Sequence, residues 1–274
     1  MDPDEFIGDT FALYSDTLDL NDDEEIHYGP LVLTVAPKEG KANTLLADHL
    51  FSPSLLLAEH IERGLIPLER KTVVELGAGC ALPSLLASTL AHPPSLVVIT
   101  DYPDETILGN LRQNVARNAG KTADGCVVQC CGYEWGKDPR PLLASLSATS
   151  PGFDVVILSD LLHFDASHTV LLASLTALLR KSPDARAYVA AGKYTSSVHC
   201  AHFVRIAAEA GIVLEEGTDS DSGENGESIW RGTMQVSGGG LDREQLAVRK
   251  GMCRWWVGRW ADLSNMKARD GGDT

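Results

Sequence analysis

A chain of 274 residues with 44% hydrophobic content has the length for one large domain, or two small ones, around a sizeable core. Its formal net charge of -15 speaks against a nucleic-acid partner, since neutralising phosphates takes a basic face; a basic protein or a cationic small molecule remains open. Six cysteines without a C-x-x-C pair, no apolar N-terminal run of signal-peptide form and no stretch of membrane-spanning length set the expectation of a soluble, cytoplasmic protein with reduced thiols.

Residues 1–25 hold ten acids and no Lys or Arg, and read as a solvated arm. Residues 25–36 read as a small hairpin outside the main sheet, broken at Gly29 and Pro30. A helix is expected from Pro53 to Gly64, with Ser52 as its N-cap and the aromatic Phe51 just before it. Val73 to Leu76 is a short β-branched, apolar run of the buried-strand type, and Gly77 and Gly79 follow as a tight turn. Leu82, Leu85, Leu86 and Leu90 then recur at helical spacing, with Pro83 early, where a missing N–H costs little. Residues 96–101 form a second strand that ends on Asp101. In a doubly wound sheet an acid there lies beside the first glycine turn and accepts hydrogen bonds from ribose hydroxyls. A dinucleotide fingerprint would need a third glycine where Leu82 stands; the pattern is Glu75-x-Gly77-x-Gly79 instead. A cationic cofactor needs no phosphate cradle, and nearby acids help it.

Residues 104–118 read as a helix with Ile107, Leu108, Leu111 and Val115 inward, and residues 125–131 as a third strand. Tyr133, Glu134 and Trp135 follow in a loop. The apolar run from Val155 to Leu158 suits a central strand covered on both faces, and it ends on Ser159 and Asp160 at the carboxyl edge, where open α/β folds put their chemistry. His163 and Phe164 come next. A strongly apolar helix over 166–180, a strand over 185–192, a loop with Lys193 and Tyr194, and a helix over 197–210 complete the alternation. His199, Cys200 and His202 lack the spacing of a helical metal pair and read as packing, so no metal site is expected. Residues 216–226 read as a loop inside a β-hairpin, 229–236 and 252–260 as two further strands, 241–249 as a short helix, and 265–274 as a polar tail.

Val73 to Ser88, together with Thr100 to Asp104, resembles the first two motifs of the seven-strand S-adenosylmethionine (SAM) methyltransferases. Within these the chain is similar to the family-16, lysine methyltransferase-like enzymes, and to their fungal branch labelled nicotinamide N-methyltransferase or elongation-factor methyltransferase. The resemblance covers about residues 45 to 215. It implies an α/β, Rossmann-like, seven-strand mixed sheet, mostly parallel with the last strand antiparallel, and helices on both faces. An N-terminal β-hairpin extension would precede it, giving an arm and hairpin over 1–44, a methyltransferase domain over 45–264 and a tail over 265–274.

The resemblance also implies roles. SAM, with S-adenosylhomocysteine as product, would sit on Gly77, Ala78 and Gly79, with Glu75 orienting the turn, Asp101 on the ribose, Tyr102 and Trp135 flanking adenine, and Phe51 and Ser159 nearby; Tyr133 or Glu134 would meet the adenine amine. Asp160, His163, Phe164 and Tyr194 would line the acceptor end. Where the family has Asp-x-x-Tyr or Asp-x-x-Phe, this chain has His163, with the aromatic one place later. Three readings stay open: a protein N-methyltransferase for a lysine or N-terminal amine, possibly of a translation factor; a small-molecule enzyme for nicotinamide or another aromatic amine; and a non-catalytic SAM-fold scaffold. A monomer is expected because the family is mostly monomeric.

Overall fold

The computed structural model describes residues 25–218 and 228–261. The acidic arm, most of the Gly/Ser/acid stretch and the polar tail lie outside the described residues. Within them, the apolar runs become the strands. β3 (Thr72–Leu76), β4 (Leu96–Asp101), β6 (Val155–Ser159) and β7 (Arg186–Gly192) are buried almost throughout, as strands covered on both faces must be. With β5 (Val127–Gly132), β8 (Ile212–Glu216) and β10 (Cys253–Trp260) they form one seven-strand sheet of order β5-β4-β3-β6-β7-β10-β8. The pairs among β3 to β7 are parallel, while β10 runs antiparallel to both β7 and β8. The winding reverses at the β3–β6 pair, so a crevice opens at the carboxyl ends of these central strands.

Eight α-helices are described: α1 (Gly40–Thr44), α2 (Ser52–Glu62), α3 (Leu82–Ser88), α4 (Glu105–Asn118), α5 (Arg140–Leu143), α6 (His168–Leu178), α7 (Ser197–Glu209) and α8 (Arg243–Gly251). Two apolar clusters pack on the two faces of the sheet, one holding Val73, Val97 and Ile157, the other Val74, Val98 and Val156. This is the alternation a pleated strand imposes. No helix among the described residues is long and apolar enough to cross a membrane.

The N-terminal hairpin exists: β1 (Ile26–Tyr28) and β2 (Leu31–Leu33) pair antiparallel across Gly29 and Pro30. A third strand joins them, β9 (Val236–Ser237). The expected strand over 229–236 is therefore corrected, because only its last residue pairs. Acids of α2 take the backbone amides that a strand would have used: Glu59 accepts from the Arg231 amide, and Glu62 accepts from those of Thr233 and Met234. Arg243 then donates to the carbonyls of Trp230 and Gly232. The partner of β8 is β10. Ser52 is also corrected: Phe51 is the N-cap of α2, and the Ser52 hydroxyl accepts from Arg249 at 2.9 Å.

The inward face of α4 carries more than the expected apolar stripe. Asn110, Asn114 and Asn118, at i, i+4 spacing, are buried and substitute for a neighbouring strand beside β2. Asn114 accepts from the Thr34 amide (3.0 Å) and donates to the Thr34 carbonyl (2.8 Å) and the Cys80 carbonyl (3.2 Å). Asn118 does the same for Val32 at 2.9 and 2.8 Å. Truncation of Asn114 strands buried backbone groups, each costing about 1–3 kcal/mol. Asn114→Ala is expected to lower unfolding stability by about 2–3 kcal/mol, and half-buried Val115→Ala by about 1. Urea midpoints at constant m-value measure both.

Candidate functional site

The turn after β3 is built from left-handed backbone: Gly77, Gly79 and Ala81 have φ of 59°, 56° and 64°. Glycine at 77 is required twice over. Besides its φ, a Cβ there would meet Leu161 Cδ2 at 2.7 Å and Trp135 Cζ2 at 3.1 Å. Above Gly79 there is open space to 4 Å. The turn is pinned to β4 by Ala78 N donating to Thr100 O (2.9 Å) and by Asp101 Oδ2 accepting from Gly79 N (2.7 Å). Asp101 Oδ1 accepts from Tyr102 N at 2.7 Å. Burial raises the Asp101 pKa, and these two amides oppose the rise.

Beneath the turn, Glu75 Oε2 accepts from Ser84 N (3.2 Å) in the first turn of α3. Full burial pushes its pKa up to about 8. Glu75 thus holds the first turn of α3 and does not line the cavity.

β6 delivers the other wall. Asp160 is again left-handed, with φ of 61°, and is 4% exposed. Its Oδ1 accepts from Gly192 N at 3.3 Å and its Oδ2 from the Tyr194 hydroxyl. Burial pushes its pKa up to about 6, against the lowering pull of Tyr194, Gly192 and the Arg249 guanidinium. His163 follows with both ring nitrogens shielded from solvent and its ring turned to the Asp160 backbone carbonyl. Burial pushes its pKa down to about 4, so it is neutral at pH 7. Its ring lies 3.9 Å from that of Phe164, which meets Trp135 edge-on at 5.9 Å. His168 supports this loop from α6: its Nε2 meets the Leu162 carbonyl at 2.9 Å, and its Nδ1 meets His202 Nδ1 at 3.0 Å. His202, expected only to pack, therefore backs the loop through His168.

One cavity brings together Phe51, Gly77, Ala78, Gly79, Asp101, Tyr102, Trp135, Ser159, Asp160, His163 and Phe164. Two candidates fall outside it. Glu75 is one; Tyr194 is the other, standing behind Asp160 with its ring 6.1 Å from that of Phe51. The expectation that Tyr194 lines the acceptor end is corrected to a supporting position. Tyr133 reaches the cavity, but its hydroxyl donates to the Lys137 carbonyl (3.1 Å) and meets Ser174 Oγ (3.1 Å), so it is taken up by the loop and not turned to a ligand. The sequence reading missed the roof, Leu45, Leu46, Ala47 and His49, as well as Cys80 and Leu161. No periodicity marks that roof; Leu46 is left-handed, with φ of 58°, which its residue type conceals. Among the described residues no Lys or Arg lines the cavity, whereas Asp101, Glu134 and Asp160 do. It therefore suits a cation better than a phosphate.

The sheet order, the antiparallel β10 and a glycine turn facing an acid on the next strand define a Rossmann-like fold of the methyltransferase type. The family model described as lysine methyltransferase matches residues 37–207, and the chain belongs to that family. Among curated relatives, the protein N-terminal and lysine N-methyltransferase EFM7 of Gibberella zeae is 37% identical over 154 residues, covering 52% of this chain and 56% of that protein. The efm7 protein of Neurospora crassa, described in the same words, is 30% identical over 181 residues, covering 63% of each. The chain thus spans between half and two thirds of the length of these relatives. Solved structures that match include a SAM-dependent methyltransferase from Aquifex aeolicus (15% identity, TM-score 0.45, 75% of this chain and 92% of that one). A methyltransferase from Pyrococcus furiosus also matches (12% identity, TM-score 0.44, 74% and 82%).

The buried Glu75 gives a pH test. A carboxyl whose folded pKa is raised contributes stability below its unfolded pKa and loses it as pH rises through the folded value, here from about 4.5 to about 8. Glu75→Gln, which cannot ionise, is expected to match the wild type near pH 5 and to exceed it by a few kcal/mol at pH 9. Thermal melts across that range measure it.

Proposed function

We propose that this chain is a SAM-dependent N-methyltransferase acting on a protein amine, either a lysine or an N-terminal amine. The observation that carries the reading is one cavity with the Gly77–Gly79 turn and Asp101 at one end, the Asp160–Phe164 loop at the other, and no Lys or Arg among the described residues of its lining. The residues fit the cofactor. The space above Gly79 admits close approach of a nucleoside, Asp101 keeps lone pairs beyond the two amides it accepts, and Trp135 and Tyr102 offer flat faces. Family membership and the names of the fungal relatives support a protein acceptor. A translation factor is the acceptor suggested by the sequence resemblance.

When bound, SAM supplies an electrophilic methyl group on a sulfonium. The chain's task is alignment and exclusion of water. Asp160, ionised at pH 7, attracts an incoming ammonium. A free lysine has a pKa near ~10.4, and desolvation in an aromatic slot such as that of Phe164 and Trp135 lowers it. His163, neutral, accepts an N–H from the amine and orients its lone pair; its low pKa suits it to hold that hydrogen bond and not to take the proton. A second reading, a small aromatic amine as acceptor, draws on the roof of Leu45 to Ala47, which partly encloses the cavity.

Calorimetric titration with SAM and S-adenosylhomocysteine is expected to show micromolar binding that Asp101→Ala abolishes. Methyl-labelled SAM in a cell extract is then expected to mark a protein, with Asp160→Asn and His163→Phe each slowing transfer about tenfold or more while leaving cofactor binding near wild type. Absence of binding by the wild type sinks the cofactor assignment. Label confined to small molecules transfers the reading to the aromatic amine.

A further inference from the structure

Asp160 is a buried carboxylate held at a left-handed backbone position, and the positive charge that favours its ionised form comes from a distant part of the chain. Arg249 lies on α8, beyond the last residue matched by the family model. It is 6% exposed. Its Nε donates to Ser52 Oγ at 2.9 Å and its Nη2 to the Leu50 carbonyl at 2.6 Å, so the guanidinium grips the chain on both sides of Phe51. Phe51 lines the cavity and leans on Tyr194, whose hydroxyl donates to Asp160. A second contact runs the same way: Lys193 N donates to Met252 O at 2.7 Å, fixing the Tyr194 loop to the residue that follows α8.

We propose that Arg249 is a positioning residue for the cavity, one guanidinium that anchors the Phe51 wall and lends positive charge to the Asp160 end. This rests on the methyltransferase reading for its meaning, but its physical content does not. The groups that bear on the Asp160 carboxyl are the Gly192 amide at the end of β7, the Tyr194 hydroxyl after it, Arg249 from α8 and the Cys200 thiol from α7, while the His163 ring on its own loop meets the Asp160 backbone. Arg249 is the cation in that set. A lysine in its place would keep the charge and lose the two-pronged grip, since an ammonium is a point donor without a planar fork. A glutamine would lose the charge.

The test uses the full chain carrying ¹³C-labelled aspartate carboxyls, with the Asp160 signal identified by its loss in Asp160→Asn. Its titration midpoint is followed in the wild type, Arg249→Gln, Arg249→Lys and Ser52→Ala, alongside calorimetry with S-adenosylhomocysteine. Arg249→Gln is expected to raise the midpoint by about one unit, and Arg249→Lys to leave it near wild type. Ser52→Ala, which removes one bond of the grip and no charge, is expected to leave the midpoint unmoved and weaken binding several-fold. A merely structural arginine would not move the midpoint. Cooperatively melting Arg249→Gln protein with a wild-type midpoint overturns the proposal. Should that variant not fold, Arg249→Lys decides: an unmoved midpoint with weaker binding supports the two roles, and a shifted midpoint or wild-type binding overturns them. A wild type that binds no S-adenosylhomocysteine sinks the functional reading alone, because the Asp160 midpoints still report on Arg249.

Discussion

The hydrogen bond from the Gly79 amide to the Asp101 carboxylate joins the first turn to the second strand, and much of the site follows from it. For the amide to face that carboxylate, the chain must leave β3 through left-handed residues at 77, 79 and 81. That path presents Gly79 to open space and brings Gly77 against Leu161 and Trp135. One turn therefore sets the floor of the cavity and the approach of two of its walls. A side chain at 77 would push both walls away, so the constraint there is steric as well as conformational.

Three acids collect at this edge of the sheet, and each is reconciled with burial in its own way. Glu75 faces the N-terminus of α3 and has its pKa raised to about 8. Asp101 is met by two backbone amides. Asp160 combines an amide, a phenol and the nearby guanidinium of Arg249. Backbone amides stabilise a carboxylate without adding a mobile cation, so the cavity keeps a negative potential toward whatever enters. That field favours sulfonium and ammonium groups and opposes phosphates, which accords with Leu82 in place of a third fingerprint glycine.

Much of this was legible because it is local. β3, β4 and β6 are continuous apolar runs that end on Gly77, Asp101 and Asp160, and the alternation of strands with helices fixes a parallel sheet whose strand ends meet. The rest depended on partners far away in the chain. Residues 229–235 have strand composition, yet Glu59 and Glu62 bind their amides across about 170 residues. Ser52 has the look of an N-cap until Arg249, 197 positions on, claims it. Asn110, Asn114 and Asn118 were visible at helical spacing, but asparagines on a helix ordinarily face water, and only β2 beside them gives the ladder its purpose. Tyr194 sits in the expected loop; that it turns behind Asp160 follows from the ring of Phe51.

The two ends of the chain reach the site by separate routes. From the N-terminal side, β2 is held by Asn118 and the following Thr34 by Asn114, which also holds the Cys80 carbonyl in the glycine turn. From the C-terminal side, α8 reaches the Phe51 wall through Arg249. Both β2 and α8 lie outside residues 37–207, the span that the family shares. The shared span holds the turn, the acid of β4 and the Asp160 loop. The flanking elements pack against it, β2 on the asparagines of α4 and α8 on the chain around Phe51. A chain with the same central motifs and different flanks would keep the negative floor while presenting a different mouth.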